Sequence, residues 1–193
     1  MIKKIILTVV IIAVTIGAAY IFGVQAGNFF IDKKLDQHAK QREVYTQQIL
    51  DFMGTIEKGY QMPDFKFITS DNQQRQLYDK FKSKTLMIIF DYTCENCIIE
   101  MEQVAAILQD HDYCDFLTLL SPSDPQYMEE LRKDLNIPCE ILHDHKYAFV
   151  DRIGVSSYPF NIVVDQTGVI DTILAGPLSK PDLETLLKRI SSQ

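Results

Sequence analysis

Positive charge is scarce in this chain, and its scarcity removes whole classes of function. The 193 residues carry 19 Lys and Arg against 26 Asp and Glu, a net charge of −7, with no basic run that would track a phosphate backbone. That balance argues against nucleic acid or an anionic membrane surface as a partner. Cysteine is sparse as well: the four, Cys94, Cys97, Cys114 and Cys139, all lie in the second half. This is not the pattern of a small disulfide-dense scaffold, and with no cysteine near residues 15–30 a lipoprotein anchor is excluded. Between Lys84 and Arg132 there is no Lys or Arg at all. What is present is a hydrophobic fraction of 47% with 23% charged residues, the composition of a folded chain. The length suits one ordinary domain with a small appendage.

Charge is also missing from Ile5 to Val24, twenty residues that follow Lys3 and Lys4. That is about the length a helix needs to cross the hydrocarbon core of a bilayer. The competing expectation, a signal peptide cleaved after Val24-Gln25-Ala26, needs an apolar stretch of only about 7–15 residues. The length favours an uncleaved anchor over residues 1–26. Lys3 and Lys4 favour an N-in orientation, a preference weakened by Lys33 and Lys34 on the far side. Residues 27–58 then read as a helical stalk, polar in the middle and amphipathic later, with Tyr45, Ile49, Phe52 and Ile56 at helical steps. A spacer and a docking or dimerisation helix are both open readings of that stripe. Gly59 and Pro63 mark the start of a domain over 59–193.

Within the domain the pattern predicts strands over Phe65–Thr69 and Gln74–Tyr78, joined by a turn at Ser70-Asp71-Asn72. A buried strand, Leu86–Phe90, is followed by a helix to about Asp110. Asp115–Ser121 reads as a second buried strand, Pro122–Leu135 as a helix begun near Ser123 or Asp124, and Pro138–Leu142 as a third, short strand. A short helix over Lys146–Ile153 precedes a hairpin, Phe160–Asp165 and Val169–Leu174 around Gln166-Thr167-Gly168. Ser179–Ile190 closes the chain as an amphipathic helix. Strands alternating with helices, then a hairpin and a helix, describe a mixed α/β sandwich.

The stretch LMIIFDYTCENCIIEM, Leu86 to Met101, carries the chemistry. A strand leads into Cys94-Glu95-Asn96-Cys97, and Ile98, Met101, Ala105 and Leu108 continue at helical spacing. Two residues between cysteines in a first helical turn let the sulfurs meet. The free N–H groups and positive dipole end of that turn favour a thiolate on the first sulfur. The expectation is a redox dithiol with Cys94 as nucleophile and Cys97 as resolving partner.

Further motifs widen this into a resemblance. Met62-Pro63-Asp64-Phe65, Ser156-Ser157-Tyr158-Pro159-Phe160 with Ile162-Val163-Val164-Asp165 and Gly168, and Ala175-Gly176-Pro177-Leu178-Ser179 stand in the order seen in the thioredoxin superfamily. Residues 122–153 match the extra strand and helix of its membrane-tethered TlpA/ResA-like branch. Residues 59–193 therefore resemble that branch. The resemblance implies a thioredoxin-like fold, a central mixed sheet flanked by helices, and a thiol-disulfide oxidoreductase. It also implies a cis bond before Pro159, with Tyr158 and Pro159 holding a substrate backbone beside Glu95 and Asn96. A glutamate three residues after the second cysteine, here Glu100, would manage the proton; a solvated surface glutamate is the plainer alternative.

Several positions depart from the family pattern. Thr93 replaces the usual Trp, Ile98 the usual basic residue, Tyr158 the usual Thr, and Ile88 the buried Asp of thioredoxin. Asp91, Glu95 and Glu100 oppose a thiolate at Cys94, which predicts a reducing couple and hence a reductase. Cys114 and Cys139 read as two separate buried thiols, with a structural disulfide as the alternative. His143 and His145 around Asp144 read as surface histidines in a loop. Copper is disfavoured because the copper-chaperone relatives carry CxxxC, and zinc because no second CxxC exists. A peroxidase would need the Pro-x-x-x-Thr-x-x-Cys pattern, which residues 87–94 lack.

The expected protein needs no metal and no organic cofactor. It acts on disulfide-containing protein substrates, faces the periplasm or cell exterior, and draws electrons from a dithiol donor, one candidate being a membrane thiol carrier. An oxidase or isomerase on the same scaffold, and a non-enzymatic copper chaperone or redox sensor, are the alternatives.

Overall fold

A run of apolar residues with no polar alternation has to be covered on both faces, and Leu86 to Phe90 is such a run. In the computed structural model, which describes residues 23–25, 31, 33–34, 36–49, 56–69 and 73–192, all five of these residues are fully buried. The chain divides into two compact units, Met1–Glu43 and Val44–Gln193. In the first, residues 36–43 are helical and an exposed Asp36–Lys40 pair spans one turn at 2.7 Å. The expected anchor over Ile5–Val24 lies almost wholly outside the described residues. No described helix is long and apolar enough to cross a membrane.

The second unit opens with a helical segment, α1, over residues 44–49. Its seven strands are β1 (Lys66–Thr69), β2 (Gln74–Gln76), β3 (Thr85–Ile89), β4 (Leu117–Ser121), β5 (Ile141–His143), β6 (Phe160–Val164) and β7 (Ile170–Ala175). They form one sheet in the order β2-β1-β5-β4-β3-β6-β7. β3, β4 and β5 run parallel, and β1, β2, β6 and β7 join antiparallel. Parallel neighbours need crossovers. Here α2 (Glu95–Leu108) returns β3 to β4, and α3 (Pro125–Asp134) returns β4 to β5. α4 (Ala148–Ile153) precedes β6, and α5 (Lys180–Ser191) ends the chain.

Alternation along β3 sorts the core into two halves. Leu86, Ile88 and Phe90 face α2, α3 and α5 together with Met101, Val104, Leu131, Leu183 and Leu187. Met87 and Ile89 face α4, with Phe67, Phe149, Val150 and Ile153. Helix starts follow their caps: Asp124 accepts the Gln126 N–H at 2.8 Å ahead of Pro125, and Ser179 accepts from Asp182 at 3.4 Å. The β6–β7 hairpin turns at Gly168, whose φ of +82° suits glycine.

Three expectations are corrected. Cys114 and Cys139 are not separate thiols but a disulfide, with an S–S distance of 2.07 Å. Cys114 opens a 3-10 turn leading into β4 and Cys139 precedes β5; because these strands are parallel neighbours, the residues ahead of them lie side by side. Of the two histidines expected on the surface, His145 is exposed but His143 is not, and Asp144 between them is buried too. β5 runs to His143, which pairs with Ser121, and His143 and Asp144 are 8% and 0% exposed. Asp144 caps α4, its carboxylate accepting the N–H groups of Phe149 and Val150 at 2.9 Å each. The strand expected over Gln74–Tyr78 ends at Gln76, where a 3-10 turn over Leu77–Lys80 sinks Leu77 into the core.

The expected stalk over 27–58 meets this picture in pieces. Val44 onward belongs to the second unit, where Thr46 and Ile56 are buried and Ile49 packs against the α4-side core. Tyr45 is about half exposed, and Phe52 lies outside the described residues.

Candidate active site

β3 ends at Ile89 and the chain turns through Asp91-Tyr92-Thr93 before α2 begins. The turn is held by side chains: Asp91 accepts from the Thr93 N–H at 2.8 Å and hydroxyl at 2.6 Å, and Ser123 accepts the Tyr92 N–H at 2.9 Å. Cys94 is the N-cap of α2, with extended backbone at φ −92° and ψ 111°. Its sulfur takes the place of a capping oxygen, accepting the Cys97 N–H at 3.3 Å.

The two cysteines differ in environment. Cys94 is partly exposed, whereas Cys97 is buried. Burial pushes the Cys97 thiol well above its ordinary range. Its hydrogen bond with the Cys94 sulfur and the negative charge of Glu100 push the same way, against a backbone hydrogen bond at Asp91. One sulfur is thus placed to meet another molecule, and the other holds its proton until it acts.

Glu100 lies one turn beyond Cys97 and is fully buried, which rules out the solvated surface glutamate. Its Oε2 accepts the Leu178 N–H at 2.9 Å. Ile88 is likewise fully buried, so the apolar replacement of thioredoxin's Asp sits in the core on the same side of the sheet.

The Tyr158–Pro159 bond is cis, and the Tyr158 carbonyl lies 3.6 Å from Cys94 Sγ as acceptor. Burial raises the Tyr158 hydroxyl above its ordinary value, as do the negative groups around it, Asp91 first. Of the remaining expected contacts, Glu95 and Asn96 are exposed on the first turn of α2, beside Cys94. The structure therefore brings Cys94, Cys97, Glu100, Tyr158 and Pro159 together and leaves Glu95 and Asn96 on the rim.

Two features escaped the sequence. Asn161 in β6 is fully buried and donates its amide to the Gly176 carbonyl at 3.2 Å, while the Gly176 N–H donates to the Pro159 carbonyl at 3.0 Å. An asparagine inside an otherwise apolar strand was the available signal. The second is an exposed stacked pair, Tyr92 and Tyr127, with ring centroids 5.1 Å apart; only the fold sets α3 beside the turn ahead of Cys94.

The chain is 29% identical over 140 residues to the thioredoxin-like protein YneN of Bacillus subtilis, covering 68% of this chain and 79% of that protein. Among solved structures it is similar to a thiol:disulfide interchange protein of the thioredoxin family from Chlorobium tepidum. That likeness has a TM-score of 0.57 at 18% identity and covers 70% of this chain and 98% of the other. A secreted Mycobacterium tuberculosis disulfide oxidoreductase, described as homologous to DsbE, has a TM-score of 0.54 at 14% identity. It covers 67% of this chain and 96% of the other. The Redoxin family pattern matches residues 57–187, which take in all seven strands and both cysteine pairs. With its seven-stranded mixed sheet, flanking helices and dithiol at the start of α2, the chain belongs to the Redoxin family and has a thioredoxin-like fold.

Proposed function

We propose that the protein is a thiol-disulfide oxidoreductase of the TlpA/ResA-like type that reduces disulfides in extracytoplasmic proteins. The observation that carries this is the asymmetry of the pair: a partly exposed Cys94 sulfur receiving the Cys97 N–H, backed by a buried Cys97 thiol. The Cys94 thiolate attacks one sulfur of a substrate disulfide, and the other substrate sulfur leaves with the electron pair. Cys97 gives its proton to the Glu100 carboxylate and attacks Cys94 Sγ. The Cys94–Cys97 bond forms, the mixed disulfide breaks, and the substrate leaves as a dithiol. A dithiol donor, in our reading a membrane thiol carrier, restores the reduced enzyme. Tyr158 supports the substrate through its carbonyl beside Cys94. Glu95 and Asn96 flank that place.

The reducing direction rests on charge. Asp91, Glu95 and Glu100 lie close to the dithiol in the chain, and from Thr85 to Leu131 there is no Lys or Arg to stabilise the thiolate that the reduced pair carries. A thiolate less stabilised in the reduced form means a more reducing couple. A redox titration of the full chain in detergent tests this: a midpoint near or below about −250 mV supports the reductase. A midpoint near about −120 to −180 mV makes it an oxidase or isomerase instead.

Membrane attachment is part of the proposal. It is supported by the uncharged stretch Ile5–Val24 and by the Cys114–Cys139 disulfide, which persists in an oxidising compartment. The domain beyond the anchor would face the periplasm or cell exterior. Protease added to cells stripped of wall and outer membrane should digest it; protection until the cytoplasmic membrane is opened would reverse the topology.

A further inference from the structure

The segment that ends β7 and leads into α5, residues 175–178, reaches two sides of the site. Its Gly176 N–H donates to the Pro159 carbonyl at 3.0 Å and its Gly176 carbonyl accepts from Asn161 at 3.2 Å. Leu178 supplies the N–H that Glu100 accepts at 2.9 Å. One turn therefore ties the segment facing Cys94 to the carboxylate behind Cys97.

Its outer side is held by α1. β7 is an edge strand, and the edge of a sheet offers backbone donors that need partners. The Ala175 N–H finds one in Thr46 Oγ1 at 3.3 Å, a hydroxyl on a residue only 6% exposed. Next to it the Tyr45 ring lies against Gly176. A Cβ at Gly176 would come within 3.0 Å of the ring, and a φ of +76° favours glycine there as well.

We propose that Tyr45 and Thr46 are positioning residues for the resolving step. By clamping residues 175–178 from outside, they hold the Leu178 N–H on the Glu100 carboxylate, so that Glu100 receives the Cys97 proton as Cys97 attacks Cys94 Sγ. The inference rests on the dithiol reading above. It adds that α1, which the sequence pattern assigned to a stalk, completes the active site. A charge-assisted N–H bond holds a carboxylate in place more firmly than a neutral one, so losing the clamp misplaces the proton acceptor. Cys94, whose sulfur is oriented within its own helix turn, keeps its reactivity.

The full chain in detergent, fully reduced at the dithiol, is mixed with 5,5′-dithiobis(2-nitrobenzoate). Attack by Cys94 releases one thionitrobenzoate at a rate proportional to reagent. Attack by Cys97 on the mixed disulfide then releases the second at a rate independent of reagent, and the proton goes to Glu100. Thr46→Val is expected to slow the second phase by about threefold or more, the scale of one lost hydrogen bond, and to shift its pH profile. The first phase should stay within about twofold. Tyr45→Ala should act in the same direction, and Thr46→Ser, which keeps the hydroxyl, should restore the rate. If Thr46→Val fails to fold, Tyr45→Ala carries the test, because its ring is half exposed. The proposal is overturned if the second phase and its pH profile are unchanged, or if both phases slow alike. Release of a single thionitrobenzoate by the unaltered chain would instead remove the dithiol reading itself.

Discussion

Two pairs of cysteines sit at opposite ends of the same parallel strands, and they are built for opposite purposes. Cys94 and Cys97 follow the C-terminal end of β3, at the start of α2. Cys114 and Cys139 stand ahead of the N-terminal ends of β4 and β5. The first pair are neighbours in sequence, free thiols with a backbone donor on one sulfur and a buried carboxylate behind the other. The second pair are 25 residues apart and joined, stapling two crossovers of the sheet. The difference teaches that reactivity comes from where the backbone ends: a helix N-terminus offers unpaired N–H groups to a sulfur. A pair set between strand starts gains only loop closure.

The sharpest break of that comparison is Cys94→Ser. Exchange with a protein disulfide should fall by at least about a thousandfold, while the Cys114–Cys139 bond survives, as intact mass with and without thiol-blocking reagent would show. Residual exchange of comparable rate would mean that the second pair is redox-active and that the functional distinction is wrong.

Next comes Glu100→Gln. Removing the carboxylate takes away the proton acceptor, so resolution by Cys97 should slow about a hundredfold, the low end of general-base effects. It also removes a negative charge that raises the Cys97 thiol, whose apparent ionisation should therefore move to lower pH. Stopped-flow resolution of a preformed mixed disulfide across pH checks both; an unaltered profile would make Glu100 a packing residue only.

The second pair is broken with the double substitution Cys114→Ser and Cys139→Ser. Closing a 25-residue loop is worth about 3.5 kcal/mol in the chain-entropy limit. The variant should melt roughly 7–14 °C lower in a domain of this size. Its exchange rate at a temperature where it is folded should stay within about twofold of the unaltered chain, because the bond lies at the far end of the strands from Cys94. A large loss of exchange without loss of stability would show the two ends to be coupled.

The smallest effect concerns His143, at the active-site end of β5. Burial lowers its pKa, so the folded state disfavours the charged ring. Between the depressed folded value and the unfolded value near about 6.5 the unfolded chain binds more protons, and stability falls as pH drops through that window. Melting curves between about pH 7.5 and pH 5 should show a loss that His143→Gln flattens. Parallel curves for the two proteins would remove His143 from the account.

Much of the fold was legible because its signals are local. LMIIF is apolar without alternation and becomes a strand covered on both faces; Asp124-Pro125 and Ser179 start helices with the oxygen that a first turn needs. Gly168 marks the hairpin. The boundaries that moved did so for tertiary reasons. Leu77 left the strand pattern because the core had a place for it, and β5 ran on to His143 because Ser121 was there to pair with. Of the site, the spacing of Cys94 and Cys97 and the placing of Glu100 one helical turn later could be read from the chain, since one helix carries all three. The opposing carbonyl of Tyr158, the amide of Asn161 and the Thr46–Ala175 bond could not, because they join residues 64, 15 and 129 apart whose partners are known only once the chain is folded.

The sequence by itself determined which segments would be buried, where helices begin, and that two sulfurs would share a first helical turn. Periodicity, capping and spacing act within a few residues. The tertiary structure alone decided that Cys114 bonds Cys139, that His143 and Asp144 go inside, and that α1 reaches the turn holding Glu100. Those outcomes depend on which strand lies beside which, and strand order is set by the packing of both sheet faces at once.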